Sequence, residues 1–238
     1  MMKRSKRYKA IYNKVDRQKL YSIEEAIKLL KETANAKFEE TAEAVFKLSV
    51  NPQKNEHRIR GTVALPHGLG KPVRVLAFAK GEKLKEAQEA GADYVGGEDF
   101  VKQIEGGWLD FDKVVATPDM MNVVSKLGRI LGPRGLMPSP KAGTVTLDIG
   151  QAVSELKRGR LEFKLDEYGN IQSPFGRCSF ATEALTENLM ALAMGIFSEK
   201  PSDVKGRFFR GVTISSTMGP GIKLDPEAVT KAITARTL

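Results

Sequence analysis

The chain has 238 residues and carries 38 lysines and arginines against 29 aspartates and glutamates, a formal net charge of +9. This length suits one large or two modest domains, and a content of 41% hydrophobic residues excludes a wholly disordered chain. The single cysteine, Cys178, and the two histidines disfavour a disulfide framework, a histidine and cysteine zinc site and a histidine-dependent catalytic triad. No secretory signal or membrane span is predicted, so we expect a soluble protein of a reducing compartment.

The excess positive charge lies mostly at the N-terminus, where residues 1–19 contain eight basic residues and one acid. Tyr8 and Tyr12 lie among these cations. Such an arm suits nucleic acid, because cations release counterions from phosphates and aromatic rings stack on bases. An isolated run of charges is more often a solvated segment without a partner, so the arm by itself does not decide between nucleic-acid binding and simple solvation. The arm residues considered as nucleic-acid contacts are Arg4, Lys6, Arg7 and Lys9.

The first block after the arm mixes a helix with strands. Ser22 to Glu25 is a capping box in front of an apolar pattern, which predicts a helix. Strands are predicted over 44–50 and 58–65.

The middle block alternates strand and helix patterns, which predicts a parallel sheet covered by helices. Its predicted strands are 72–78, 93–95 and 113–116, and its predicted helices are 81–90, 98–105 and 118–127, the last with Gly128 as its stop.

The last block returns to mixed elements. Strands over 160–165 and 171–175 are predicted to form a hairpin, followed by a helix over 182–197 and a strand over 208–215.

Neither flanking block can bury a core alone, so we expect the two to form one domain. The predicted fold is therefore α/β and α+β in two domains: a split α+β sandwich, residues 1–67 with 160–238, holds an antiparallel sheet with helices. A Rossmann-like α/β three-layer domain, residues 68–159, is inserted into it. Glycine and proline mark both crossings, near 66–71 and 157–159, and we expect hinges there. The hinge residues are Pro66, Gly68, Gly70 and Gly159.

Two phosphate-binding patterns are incomplete. Gly68 to Lys71 lacks the spacing of a phosphate loop, and Pro72 follows where a serine or threonine belongs. The turn at 79–83 contains one glycine instead of the dinucleotide-binding set. We therefore expect no nucleotide or other cofactor and no metal.

Residues 126–141 combine three glycines, three prolines and four basic residues. A constrained loop that carries arginine and lysine suits phosphate contacts, and it equally suits a structural cap on the α/β domain. Residues 37–41 and 215–221 offer an aromatic ring, a cation, hydroxyls and glycine, a composition that suits close contact with ribose and phosphate.

Four segments carry a resemblance to a known family: Gly61 to Gly68, Ala92 to Gly97, Lys126 to Lys141 and Ser216 to Pro220. Over about residues 7–226 the chain resembles the bacterial ribosomal protein L-one family of the large-subunit stalk. The resemblance implies a split RNA-binding domain with a hinged insertion, located in the cytoplasm on the ribosome.

The resemblance further implies binding to large-subunit ribosomal RNA, movement or release of exit-site transfer RNA, and repression of the protein's own operon messenger. It implies a monomer off the ribosome, no enzymatic activity and no membrane partner. By matching position, the implied RNA contacts are Lys37, Phe38, Thr41, Thr217, Met218 and Gly219, with Ser216 beside them.

Two alternatives stay open. The α/β block suits an enzyme that clamps a phosphorylated ligand with Arg129, Arg134 and Lys141, although its strand-end carboxylates Asp93, Asp112 and Asp119 have no histidine partner in the sequence. A messenger repressor acting off the ribosome is compatible with the ribosomal role, since one surface can bind both RNAs.

Overall fold

The computed structural model describes residues 5–54 and 57–237, apart from the side chains of Lys141 and Thr237. Arg4 of the predicted arm lies outside the described residues. The chain divides into two compact units, Met1–Gly70 with Glu162–Leu238 and Lys71–Leu161, here called the antiparallel unit and the parallel unit. The predicted division into functional domains at 67/68 and 159/160 stays a prediction.

The described residues form a mixed α/β structure with three sheets. In chain order the described helices and strands are α1 (Lys6–Tyr12), α2 (Ile23–Thr33), β1 (Thr41–Leu48), β2 (Arg60–Ala64), β3 (Val75–Phe78), α3 (Glu82–Glu89), β4 (Tyr94–Gly96), α4 (Glu98–Glu105), β5 (Lys113–Ala116), α5 (Met121–Val124), α6 (Gly128–Leu131), α7 (Ile149–Lys157), β6 (Arg160–Lys164), β7 (Asn170–Arg177), α8 (Thr182–Ser198), β8 (Phe209–Ser216), β9 (Ile222–Leu224) and α9 (Pro226–Thr237).

The antiparallel unit is built on a four-stranded sheet in the order β7-β1-β8-β9. β1 alternates buried and more exposed residues, and its buried side chains include Ala44 and Phe46. α2, α8 and α9 pack against this sheet. The predicted capping box of α2 is confirmed, since the Ser22 hydroxyl accepts from the Glu25 N–H at 3.3 Å while the Glu25 carboxylate accepts from the Ser22 N–H at 3.4 Å.

The predicted hairpin over 160–175 is only partly correct. Asp166 closes the turn by accepting from the backbone N–H groups of Tyr168 and Asn170 at 2.8 and 2.7 Å. β6 and β7 then meet at one bridge, Leu165 with Ile171, and continue into different sheets, β6 beside β2 and β7 beside β1. The turn chemistry is local, whereas the pairing of each strand depends on residues more than one hundred positions away.

The parallel unit contains a three-stranded parallel sheet in the order β4-β3-β5 with a core on each face. Along β3, Val75 and Ala77 face the core that α3 and α7 complete. Leu76 and Phe78 face the opposite core, formed with α4 and the turns after β5. The alternation within one short strand therefore produces three layers.

The predicted helix over 118–127 is broken into short pieces. A 3₁₀ turn, Pro118–Met120, leads into α5, and a second 3₁₀ turn, Ser125–Leu127, leads into α6. Gly128 begins α6 instead of ending a helix, because its φ of −56° is helical. The buried Leu127 and Leu131 hold this irregular path against the core.

Four elements, α1, α7, β9 and α9, have no counterpart among the predicted elements, since the segment of α1 was predicted only as a basic arm. α7 replaces part of the predicted crossing at 157–159. No helix of the described residues is both long and apolar enough to cross a membrane.

Candidate nucleic-acid interface

Two predicted contact segments, 176 residues apart in the chain, lie side by side in the antiparallel unit. β1 and β8 pair so that Ala42 faces Ser216. One residue beyond that pair, the Thr217 N–H donates to the Thr41 carbonyl at 3.1 Å, and the Thr41 N–H donates to the Thr217 hydroxyl at 3.0 Å. The sheet thus joins Thr41 and Thr217 at one end through two hydrogen bonds.

Glu40 connects this end of the sheet to its surroundings. Its side chain is 2% exposed. One carboxylate oxygen accepts from the Ala36 N–H at 2.8 Å. The other accepts from the Ser216 hydroxyl at 2.8 Å and from the Met218 N–H at 2.9 Å. One buried carboxylate therefore fixes both predicted segments.

The hydrogen bonds keep Glu40 ionised in spite of its burial. Burial by itself raises the pKa of this carboxyl group. The backbone N–H groups of Ala36 and Met218, the Ser216 hydroxyl and the positive charge of Arg7 together outweigh burial, so the pKa lies below its ordinary value of 4.5.

A pH dependence follows from this direction. Since the folded-state pKa of Glu40 lies below the unfolded value, its stabilising effect is complete above about pH 4.5 and is lost as pH falls through the folded-state pKa. We expect the difference in unfolding free energy between wild type and Glu40→Gln to shrink from about pH 6 to about pH 3.5 in urea titrations. A difference that stays constant over that range would contradict this role for the ionised carboxylate.

The exposed members of the interface are partly apolar. Phe38 is 55% and Met218 48% exposed, both high for large hydrophobic side chains. Lys37 and Thr217 are also exposed. Such rings and thioethers, next to hydroxyls and backbone groups, suit stacking on bases and contact with ribose.

Ser216 differs from the other predicted contacts, because its side chain is buried and its hydroxyl donates to Glu40. It positions the turn that follows β8 instead of facing solvent. Gly219 completes that turn, with its N–H donating to the Ser216 carbonyl at 3.0 Å. A Cβ at Gly219 would overlap the Ser216 hydroxyl, so a larger residue has to displace that hydroxyl.

Gly219→Ala is expected to lower the free energy of unfolding by about 1–2 kcal/mol, since the new methyl displaces Ser216 from Glu40. Gly211→Ala, on β8, is the matched control, because a Cβ there meets only the Lys47 Cβ at 4.0 Å. Urea unfolding of both variants measures the difference. Equal stability of the two would contradict the close approach at Gly219.

The predicted basic arm forms a helix against the interface. The Ser5 hydroxyl caps α1 by accepting from the Tyr8 N–H at 3.2 Å. The Arg7 guanidinium donates to the Asn35 side-chain oxygen at 2.7 Å and to the Met218 carbonyl at 3.2 Å. Lys6 and Lys9 are exposed. Arg7 therefore has a positioning role, while the two lysines remain available to an anionic ligand.

A shallow groove lies between α1 and the turn after β8, with a volume of about 420 Å³. Its lining residues come from the arm and the turn: Ser5, Arg7, Tyr8, Thr217, Met218 and Gly219. Arg7, near the N-terminus, and the turn after β8, near the C-terminus, therefore line the same concave surface.

The sequence prediction did not single out three residues of the interface: Glu40, which lies within the predicted segment 37–41, Arg177 and Asn35. Arg177 pairs with Thr41 across the strands and donates to its hydroxyl at 3.1 Å and to the Glu39 carbonyl at 3.3 Å. No local pattern distinguishes Glu40 from its neighbour Glu39, since burial of one of them depends on where β8 lies.

The residues of the predicted hinge at 66–71 are partly anchored. The side-chain oxygen of Asn188, a fully buried residue, accepts from the His67 N–H at 3.0 Å, and its amide donates to the Gly68 carbonyl at 2.9 Å. Pro66 lies in a turn, and Gly68 and Gly70 have φ values of 62° and 70°. The hinge itself stays a prediction.

Gly159, in the second predicted hinge, follows α7 directly. Its φ of 101° and its N–H bond to the Leu156 carbonyl at 3.2 Å make it the left-handed residue that terminates the helix.

Two of the three carboxylates considered for an enzyme, Asp93 and Asp112, serve structural bonds. Asp93 accepts from the Val75 N–H and from Lys157, each at 2.7 Å. Burial raises the pKa of Asp93. Lys157 and the Val75 N–H lower the pKa by more than burial raises it, so it lies below its ordinary value. Asp112 accepts from the Arg74 backbone and side chain at 3.1 and 3.3 Å. Asp93 and Asp112 lie at the amino ends of β4 and β5. Ligands of open parallel sheets bind at the opposite edge, beyond the carboxyl ends of the strands.

The Cys178 thiol is protonated, and both histidines contact carboxylates. Burial, aided by the negative charges of Glu40 and Glu39, raises the pKa of the Cys178 thiol to about 11, which keeps it protonated near neutral pH. His57 contacts Asp203 at 2.7 Å and His67 contacts Glu187 at 2.6 Å. Among the described residues no group of side chains is arranged to hold a metal ion.

Comparison with known proteins agrees with the motifs. A model of the Ribosomal protein L1p/L10e family matches residues 30–220. The chain is 55% identical over 229 residues to the large ribosomal subunit protein uL1 of Thermus thermophilus, a match that covers 96% of this chain and 100% of that protein. It is 53% identical over 231 residues to the protein of the same name from Cutibacterium acnes, covering 97% and 100%.

Both relatives are ribosomal proteins of the large subunit. The chain belongs to the Ribosomal protein L1p/L10e family, which confirms the resemblance inferred from its sequence motifs.

Proposed function

We propose that the protein is a structural component of the large ribosomal subunit that binds large-subunit ribosomal RNA directly, in the cytoplasm. The contact surface comprises Lys37, Phe38, Thr41, Thr217, Met218 and Gly219, and Lys6 and Lys9 of α1 add positive charge. The observation that carries the proposal is the joining of two distant segments by Glu40 into one exposed surface. Family membership supports the ribosomal role.

The chemistry of the surface supports recognition by shape. RNA helices present ribose hydroxyls and phosphates, whose arrangement neutral hydroxyl and backbone groups can match. Cations attract the RNA without selecting its sequence, and their effect falls with salt. Phe38 and Met218 supply the exposed apolar surface that bases contact.

The proposal also includes a role in the ribosomal stalk, in the release of transfer RNA and in the regulation of translation. The protein forms the mobile stalk, with domains 1–67 plus 160–238 and 68–159 moving about hinges near 66–71 and 157–159. It assists movement and release of exit-site transfer RNA and represses translation of its own operon messenger, to which it binds as a monomer off the ribosome. If one surface binds both RNAs, the messenger leader competes with ribosomal RNA for it; simultaneous binding of the two would contradict a shared surface.

The test compares shape contacts with charge contacts. The RNA is the large-subunit ribosomal fragment that wild-type protein protects in footprinting. We expect Thr217→Ala to weaken binding about tenfold at both low and high salt, since one lost contact to the RNA costs about 1.4 kcal/mol. Lys6→Gln is expected to cost about threefold at low salt and less at high salt.

Thr217→Ser is the matched control, because it keeps the hydroxyl that accepts from Thr41. Filter binding at two salt concentrations measures the affinities of wild type and the three variants. If Lys6→Gln costs as much as Thr217→Ala in high salt, the division between shape and charge is wrong. If wild-type protein protects no large-subunit fragment, the proposed function itself fails.

A further inference from the structure

The segment after β5 in the parallel unit is anchored to the core although it contains no long helix. Leu127 and Leu131 are fully buried, and Leu136 and Met137 pack against the same core. Beyond α6 the chain closes on itself, with the Leu136 N–H donating to the Leu131 carbonyl at 3.0 Å. Gly135, at a φ of 68°, supplies the left-handed residue that this closure requires. The backbone of residues 127–137 is thus anchored by its apolar side chains, which pack in the core.

Three cations project from the solvent side of this segment. Lys126, Arg129 and Arg134 are exposed, and none of them forms an ion pair or a side-chain hydrogen bond within the part of the chain that the structure describes. The sequence contains no acidic residue between Asp119 and Asp148. Their charge is therefore not neutralised by local partners.

Several other cations of the parallel unit are neutralised. Arg74 pairs with Asp110 and Asp112, Lys83 with Glu86 and Lys157 with Asp93. Residues 68–159 contain 13 basic and 12 acidic residues, so this part of the chain is nearly neutral in sum. Lys126, Arg129 and Arg134 differ from the other cations of this unit because their stretch of sequence, between Asp119 and Asp148, contains no acidic residue.

We propose that Lys126, Arg129 and Arg134 form a second RNA-binding surface, located on the parallel unit, that binds the phosphodiester backbone of RNA without reading its bases. Arginine presents a planar fork of donors that matches phosphate oxygens, and a rigid backbone lowers the entropy cost of binding. This assignment goes beyond the proposed function, whose contacts all lie on the antiparallel unit.

The patch matches an RNA backbone better than a membrane surface. Peripheral membrane binding needs exposed apolar side chains that enter the lipid boundary. No large apolar side chain of residues 126–137 is exposed, since its leucines, isoleucine and methionine face or approach the core. A purely electrostatic contact with phosphates requires only the cations that are present.

The first experiment measures salt dependence with the full chain. The probe is a fluorescent 20-base-pair RNA duplex of mixed sequence, and the variant is Lys126→Gln/Arg129→Gln/Arg134→Gln. We expect binding about tenfold weaker near 0.1 M salt, and a slope of log affinity against log salt smaller by about 2 to 3, since each phosphate contact contributes roughly 0.9.

The matched control removes the same charge from the same unit. Lys80→Gln/Lys85→Gln/Lys102→Gln replaces three lysines that are exposed and without side-chain partners among the described residues. This control is expected to change affinity less than threefold and the slope by less than 1. Equal effects of the two triple variants would overturn the proposal, because net charge would then suffice.

The second experiment locates the contact without mutation. Lysine acetylation of wild-type protein, with and without the duplex, is followed by mass spectrometry. RNA is expected to slow acetylation of Lys126 at least threefold and to leave Lys85 and Lys102 unchanged. An unchanged rate at Lys126 in saturating RNA would overturn the proposal, whatever happens at the antiparallel unit.

Discussion

Replacing Glu40 with glutamine is expected to lower the free energy of unfolding by about 2–3 kcal/mol. In wild type both carboxylate oxygens accept, one from Ala36 and the other from Ser216 and Met218. A glutamine has one accepting oxygen. In either orientation its amide group therefore faces a backbone N–H, of Ala36 or of Met218, and leaves that partly buried donor unsatisfied.

The measurement follows the antiparallel unit by hydrogen exchange of β1 amides. The single tryptophan, Trp108, lies in the parallel unit, so its fluorescence follows the other unit separately. Glu43→Gln is the matched control, because Glu43 is an exposed residue of the same strand. Its expected effect is within about 0.5 kcal/mol. A Glu40→Gln variant as stable as this control would contradict the linking role of Glu40.

Met218→Asp is expected to weaken binding to the protected ribosomal fragment about 30- to 100-fold, the largest effect on RNA that the proposed function predicts. The change removes an apolar side chain that is 48% exposed. It also places a carboxylate where phosphates approach, and like charges at an interface cost several kcal/mol. Each 1.4 kcal/mol corresponds to a tenfold change in affinity.

Met218→Leu separates the two causes, because it keeps an apolar side chain of similar volume. It is expected to bind within threefold of wild type. Both variants retain the backbone N–H and carbonyl that Glu40 and Arg7 contact, so both are expected to fold. Wild-type affinity in Met218→Asp, by filter binding, would remove this turn from the proposed RNA surface.

Elements with strong local signals were predictable. The capping box set the start of α2, and predicted strand and helix patterns matched α4 and β5 to the residue. The alternating pattern of the middle block correctly predicted a parallel sheet. These features depend on residues within a few positions of each other, which is the information that periodicity and capping contain.

Elements that depend on tertiary contacts were not predictable. The segment 118–127 was predicted as one helix, but it forms short pieces, and Leu127 and Leu131 are buried in the core of the parallel unit. The strands predicted as a hairpin divide between two sheets, because β1 and β2 offer the pairing edges. α7 was missed beside a glycine that was interpreted only as a hinge, although it ends the helix.

The sequence by itself determined the family, the mixed α/β fold and the position of the positive charge, since motifs, periodicity and charge are properties of neighbouring residues. It also indicated Phe38, Thr41 and Thr217, by resemblance. Only the tertiary structure decided that Glu40 is the buried acid joining these segments and that α1 lies against them. The physical reason is that these hydrogen bonds join residues far apart in the chain. Which donors a buried carboxylate meets is settled when the sheet pairs β1 with β8.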